Sequence, residues 1–225
     1  MAAQLRLKLD AAAPFRREDF IASASTDESL ALLDRWPKWR GGALALVGPP
    51  GSGKTHLASA WAERTGARVL PDRHLEPSDL LELEGSPVLV EAADGRGDEL
   101  LFHLINMAAR PGGSLLLTAR TPPKAWPAAL PDLRSRLNAL PVAQLAEPDD
   151  AVLAALLDKF FREHNIRPPE DLLPYLVRRI ERSAPKAREI VERLDEAADA
   201  AQRPVTKALA REILDRDGAE PETRE

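Results

Sequence analysis

Eight consecutive residues, Gly48-Pro49-Pro50-Gly51-Ser52-Gly53-Lys54-Thr55, carry the most specific chemistry in this chain. They satisfy G-x-x-x-x-G-K-[ST] at every fixed position. Gly48, Gly51 and Gly53 let the backbone fold tightly, with Pro50 and Ser52 between them, so that successive N–H groups converge on phosphate oxygens. Lys54 supplies a point positive charge for terminal phosphates, and the Thr55 hydroxyl is a ligand for Mg²⁺. A helix that starts here adds the positive end of its dipole. His56 follows directly and offers its backbone N–H to phosphate, with no role for its ring. His74, His103 and His164 show no metal-ligand spacing.

Such a loop works only between a strand and a helix. The apolar run Ala43-Leu44-Ala45-Leu46-Val47 suits a buried strand. Residues 56–64 read as a helix, with Leu57, Ala60 and Trp61 on one face and Gly66 as the stop. Further strands are expected at 67–70, 87–91, 114–118 and 140–145. A helix over 98–109 carries Leu100, Leu101, Leu104, Ile105 and Ala108 at helical spacing. Upstream, Ser25-Thr26-Asp27 reads as an N-cap for a helix that Pro37 ends. Strands alternating with helices predict an α/β fold, a P-loop domain with a five-stranded parallel sheet covered on both faces. Ligands then bind outside the carboxyl ends of the strands, which puts the tips at Val47, Glu91 and Thr118 beside the phosphates.

From Glu147-Pro148 onward the pattern is purely helical. Asp149 or Asp150 caps one helix, Pro168-Pro169 opens a second, Ser183 caps a third, and residues 205–214 form a fourth. The expected organisation is an extended arm over 1–13, an α/β domain over 14–147, a small all-helical lid over 148–216 and a disordered tail over 217–225.

With 225 residues and 44% hydrophobic content the chain can bury a sizeable core, filled by Leu, Ala and Val because aromatics are only 4%. Zero cysteines exclude disulfides, thiolate metal sites and cysteine nucleophiles. No apolar run approaches the ~20 residues that span a bilayer, and residues 1–10 contain no signal-peptide apolar block. A cytoplasmic protein without membrane contact is expected. A net charge of −5 argues against direct sequence-specific DNA binding. The one basic cluster, Arg178, Arg179, Arg182, Lys186 and Arg188, also fits a solvated helix face. Leu5, Leu7 and Leu9 alternate with charged residues. That pattern suits an extended peptide docking its apolar edge in a groove, an edge strand or a part of the core.

A P-loop sheet followed by a helical lid resembles the AAA+ ATPases. Asp19-Phe20-Ile21 before the loop, Leu115-Leu116-Leu117-Thr118 followed by Pro122-Pro123, and Leu130-Pro131-Asp132-Leu133-Arg134-Ser135-Arg136-Leu137 resemble the branch of the DnaA initiators. The likeness runs from about residue 14 to 216. With the helical lid as the last expected folded segment, the initiator's DNA-binding domain is not expected here. It begins with Gln4-Leu5-Arg6-Leu7-Lys8-Leu9, which resembles a peptide that docks on the DNA polymerase sliding clamp. Together these features are similar to the Hda-type regulatory inactivators of DnaA.

The resemblance implies ADP or ATP with Mg²⁺ as cofactors, the sliding clamp and the DnaA initiator as partners, and homo-oligomers meeting at the nucleotide. It implies clamp contacts by Gln4, Leu5, Leu7 and Leu9, and nucleotide contact by Ile21. Thr55 and Glu91 would serve Mg²⁺, Thr118 would be the first sensor, and Arg136 a trans-acting arginine finger with Arg134 the runner-up. Two departures stand out. Ala92 occupies the place of the carboxylate that activates water, so intrinsic hydrolysis should be weak; Asp94 substitutes only if the chain bends. Arg120 stands where relatives often carry an acid. The second sensor falls on Pro185 or Lys186, with Arg188 close by. The alternative reading is an AAA+ helicase loader or replication motor that hydrolyses ATP for itself.

Overall fold

The computed structural model describes residues 16–71 and 80–217. Gln4, Leu5, Leu7 and Leu9, the rest of the expected arm and almost all of the expected tail lie outside the described residues. The strands are β1 (Ala43–Val47), β2 (Arg68–Val69), β3 (Pro87–Val90), β4 (Ser114–Ala119) and β5 (Val142–Gln144). They form one sheet in the order β2-β3-β4-β1-β5, with every neighbouring pair parallel. This is the expected five-stranded parallel α/β sheet. The outer strands β2 and β5 are shorter than their apolar runs suggested, as strands with a partner on one side often are.

The helices are α1 (Asp27–Asp34), α2 (Lys54–Thr65), α3 (Asp98–Ala108), α4 (Pro131–Ala139), α5 (Asp150–Glu163), α6 (Leu172–Val177), α7 (Ala184–Ala201) and α8 (Lys207–Asp217). The central strands alternate between two cores. Ala43, Ala45, Val47, Leu115 and Leu117 pack with α3 and α4 on one face. Leu44, Leu46 and Leu116 pack with α1 and α2 on the other. Burial on both faces explains why β1 and β4 read as unbroken apolar runs. A separate third core is built from α5 to α8 and the segments joining them, around Phe161, Leu176, Ile190 and Leu194.

Several local expectations are corrected. Thr26 stands before α1 but does not cap it: its hydroxyl accepts from the Ser23 N–H and donates to the Ser23 carbonyl, both at 2.9 Å, closing the preceding turn. That helix stops at Asp34, short of Pro37. The helix expected after Pro168-Pro169 is only α6, starting at Leu172, and Ile180 lies buried beyond its end. The last helix begins at Lys207 rather than 205. Between the two named aspartates, Asp149 is the cap: its carboxylate accepts the Val152 N–H at 2.8 Å. The few aromatics contribute more than their number suggested. Trp39, Trp61 and Trp126 are buried, and Trp39 stacks on Trp61 at 5.4 Å beneath α2.

Candidate functional site

The phosphate-binding sequence folds as its residue types require. β1 ends at Val47, and the Gly48 N–H donates to the Ala119 carbonyl at 3.2 Å, tying the loop to the tip of β4. Gly51 (φ 73°) and Gly53 (φ 92°) are left-handed, a region that favours glycine. Neither has room for a side chain. A Cβ on Gly53 would meet the Phe20 ring at 2.6 Å, and one on Gly51 would overlap Ser183. Lys54 opens α2 and curls back over the loop, donating from Nζ to the carbonyls of Gly48 (2.8 Å) and Pro49 (2.6 Å). Burial holds the Lys54 pKa below the ordinary lysine value; Arg120 pushes the same way and Asp94 opposes it. A desolvated ammonium beside a backbone cradle is a site for phosphate. Ser52 adds a second sign: its hydroxyl is buried and has no hydrogen-bond partner among the described residues. An anion with spare acceptor oxygens fits both groups.

Beside the loop lies a cleft of about 530 Å³, counting its open mouth. One wall is the strap Asp19–Ile21, a second is Gly51–Gly53 with His56, and the third is Pro148, Val152 and Ala184. The lining is mostly apolar. Ile21 and His56 therefore sit with the loop glycines. The His56 ring is used structurally, since Nε2 donates to the Arg16 carbonyl at 2.8 Å and the ring lies 5.8 Å from that of Phe20. This anchors the strap on α2. From the helical side, Lys159 on α5 donates to the Asp19 carbonyl at 3.2 Å and pairs with its carboxylate at 3.3 Å. The Ala184 N–H, at the start of α7, reaches the Gly51 carbonyl at 3.5 Å. Strap, loop and helical segment thus meet around one cleft.

At the strand tips, Glu91 follows β3 and Thr118 lies in β4. Thr118 is 4% exposed, and its hydroxyl accepts the Ala92 N–H at 3.3 Å. Ala92 is itself left-handed (φ 50°), and a short 3-10 turn over Ala93–Gly95 follows. The chain therefore bends between Glu91 and Asp94. Its carboxylate accepts the Arg120 N–H at 3.2 Å across the gap between β3 and β4. Among the described residues, groups of three or more His, Asp or Glu placed to hold a metal are absent. Thr55 lies in the first turn of α2, and Glu91 directly follows β3.

The remaining expected residues lie apart from the cleft wall. Arg136 is exposed on α4, its guanidinium 5.1 Å over the Phe102 ring of α3. Arg134 donates to the Lys124 carbonyl at 3.3 Å. Lys186 stands in the first turn of α7; its N–H is capped by the Ser183 hydroxyl, and Nζ pairs with Glu189 at 2.8 Å. Arg188 pairs with Glu163 at 3.2 Å and covers the Phe160 ring at 4.2 Å. Arg182 pairs with Asp150 at 2.7 Å, so most of the basic cluster is neutralised by neighbours. No helix among the described residues is long and apolar enough to cross a membrane.

Sequence reasoning missed three contacts. Phe20 covers Gly53, Ser183 abuts Gly51, and the segment read as a boundary, Glu147-Pro148, lines the cleft. Only the two glycines hinted at the first two, by admitting close neighbours.

No protein-family model matches the chain. It is 27% identical over 222 residues to the chromosomal replication initiator protein DnaA of Thermomicrobium roseum, covering 88% of this chain. The match spans 47% of that relative, about half its length. Among solved structures it resembles domain III of the Thermotoga maritima DnaA, with a TM-score of 0.74 at 16% identity over 92% of this chain and 98% of that one. It also resembles the Thermotoga maritima Holliday junction branch migration motor RuvB, with a TM-score of 0.71 at 16% identity over 90% and 72%. A DnaA bound to AMPPCP and single-stranded DNA gives a TM-score of 0.62 at 16% identity over 84% and 68%. The chain folds as a DnaA-like AAA+ domain.

Proposed function

We propose that this chain binds an adenine nucleotide, ADP or ATP, and acts in chromosomal replication as a regulator directed at the DnaA initiator. The observation that carries the reading is a division within the site. The loop keeps every group for gripping phosphate, while Ala92 supplies no carboxylate to activate water. A nucleotide would bring phosphate charge to the loop and Lys54, with Mg²⁺ held by Thr55 and Glu91. Its base would enter the apolar cleft past Ile21. Nucleotide contacts from the helical side would come from the start of α7, by the Ala184 backbone and by Lys186 once it leaves Glu189.

Arg136 supports the regulatory part. It is exposed and outside this chain's own cleft. A guanidinium remains charged at every physiological pH and can pair with the charge that develops on a transferring phosphoryl group. In this reading it serves the ATP of a bound initiator, in trans. Thr118 would act as the first sensor, coupling the β4 tip to the backbone of position 92. The sliding clamp would be engaged by Gln4, Leu5, Leu7 and Leu9, with the division into arm, α/β domain, lid and tail as expected. Homo-oligomers would meet at the nucleotide.

The test is hydrolysis of initiator-bound ATP on clamp-loaded DNA, with and without this protein and with ADP or ATP supplied. Stimulation should occur, and Arg136→Ala should abolish it while leaving nucleotide binding intact. Undiminished stimulation by Arg136→Ala would overturn the finger. Asp94 favours the second reading, a helicase loader or motor, because its carboxylate is held by the Arg120 N–H next to the strand tip that carries the phosphate loop. Fast steady-state turnover by the purified protein alone would select that reading.

A further inference from the structure

Helices α3 and α4 are joined at two levels. In the first turn of α3, the Asp98 carboxylate accepts the N–H groups of Ala129 (2.7 Å) and Leu130 (3.3 Å). Leu130 immediately precedes α4, so this contact sets where that helix starts. Phe102 lies one turn further along α3, on the face that carries Asp98. It is half-buried against the sheet core, and the Arg136 guanidinium lies over its ring at 5.1 Å. Leu133 and Leu137, buried in the same core, fix the rotation of α4 about its axis. The two arginines of this helix are placed differently. Arg134 is half-buried and spends a donor on the Lys124 carbonyl. Arg136 is exposed and, among the described residues, makes no hydrogen bond and no ion pair. A guanidinium stacked on an aromatic face keeps its N–H donors free at its edge, whereas a carboxylate partner would occupy two of them. The stack also restricts a long side chain that would otherwise sample many rotamers.

We propose that Phe102 is a positioning residue for Arg136: its ring holds the guanidinium outward with the donors unspent, ready for a phosphoryl group on a second protein's nucleotide. The inference rests on the reading of Arg136 as a trans-acting finger and adds the platform that aims it. Phe102 lies outside this chain's own cleft and acts only through Arg136. Asp98 and Phe102 together make α3 a two-point mount, one point for the start of α4 and one for the side chain it carries.

Two measurements on the full chain test this, for wild type, Phe102→Tyr and Phe102→Leu. The first is NMR of the free protein. The Arg136 side-chain protons should show an upfield ring-current shift in wild type and Phe102→Tyr, and lose it in Phe102→Leu. The second is single-turnover hydrolysis of initiator-bound ATP on clamp-loaded DNA, over a concentration series of this protein. Phe102→Leu should lower the rate at saturation about 2- to 5-fold, as loss of an exposed cation–π contact implies. Its half-saturating concentration and its ADP affinity should stay within about twofold, and Phe102→Tyr should keep the wild-type rate. An Arg136 without the ring-current shift, or a Phe102→Leu protein with the wild-type saturating rate, overturns the role of Phe102 and leaves the finger standing if Arg136→Ala is inactive. Equal losses in the Leu and Tyr variants assign Phe102 to packing and overturn the role as well. A wild-type protein that does not stimulate the initiator, or an Arg136→Ala protein that stimulates fully, overturns both readings.

Discussion

Replacing Gly51 by alanine tests the meeting of loop and helical segment, and the structure supplies its own control. Gly51 (φ 73°) and Gly66 (φ 67°) have nearly the same positive φ. They differ in surroundings: nothing lies within 4 Å of a Cβ built on Gly66, whereas one on Gly51 overlaps the Ser183 side chain. An alanine in this conformation costs about 1–2 kcal/mol, at either site. Overpacking adds roughly 1–3 kcal/mol at Gly51 alone. For a chain of this size each kcal/mol moves Tm by about 2–4 °C. Gly51→Ala should therefore melt about 2–12 °C below Gly66→Ala, measured without nucleotide. Ser183→Gly then serves as the partial rescue. A glycine cap costs only a few tenths of a kcal/mol, and it removes the two side-chain atoms from the clash. The Ser183 Cα remains 3.0 Å from the new Cβ, so recovery is incomplete. The Gly51→Ala/Ser183→Gly pair should show a coupling of about 1 kcal/mol or more, absent when Gly66→Ala is the partner. Equal melting of the two alanine variants, with additive effects of Ser183→Gly in both, would refute a packed junction between Gly51 and Ser183.

Two further outcomes follow from the same site. Lys54 has its pKa lowered by burial and by Arg120, so on raising pH the folded chain loses this proton before the unfolded chain does. The stability of wild type relative to Lys54→Met should accordingly rise with pH across the window just below the ordinary lysine value of 10.5, read from urea midpoints without nucleotide; a flat difference would count against a desolvated ammonium. Ala92→Asp restores a carboxylate where the backbone is already left-handed, a conformation aspartate tolerates better than most residues. Unaided phosphate release should increase by roughly 100-fold or more, and unchanged turnover would mean that Ala92 is not what limits hydrolysis.

The elements that make the site were legible because their signals are local. The Gly48–Thr55 pattern is read within one loop, and the unbroken apolar runs of β1 and β4 follow from burial on both faces. The Ser183 cap needed only its own first turn, whereas the choice between Asp149 and Asp150 needed the structure. Thr26 misled because a hydroxyl can bond to either side of a turn, and the choice depends on backbone geometry that composition does not report.

Residue types alone thus determined a phosphate loop between strand and helix, a parallel sheet, and the absence of a carboxylate at Ala92. Only the tertiary structure decided that Phe20 would close over Gly53, that Ser183 would abut Gly51, and that Asp94 would reach back to the Arg120 backbone. It also decided that Arg136 would rest exposed on Phe102 while Lys186 and Arg188 turned to carboxylates. Strand and loop chemistry depends on neighbours a few residues away. Which charges share a cleft depends on where parallel strands end, and chain-distant tips meet only after the sheet has formed.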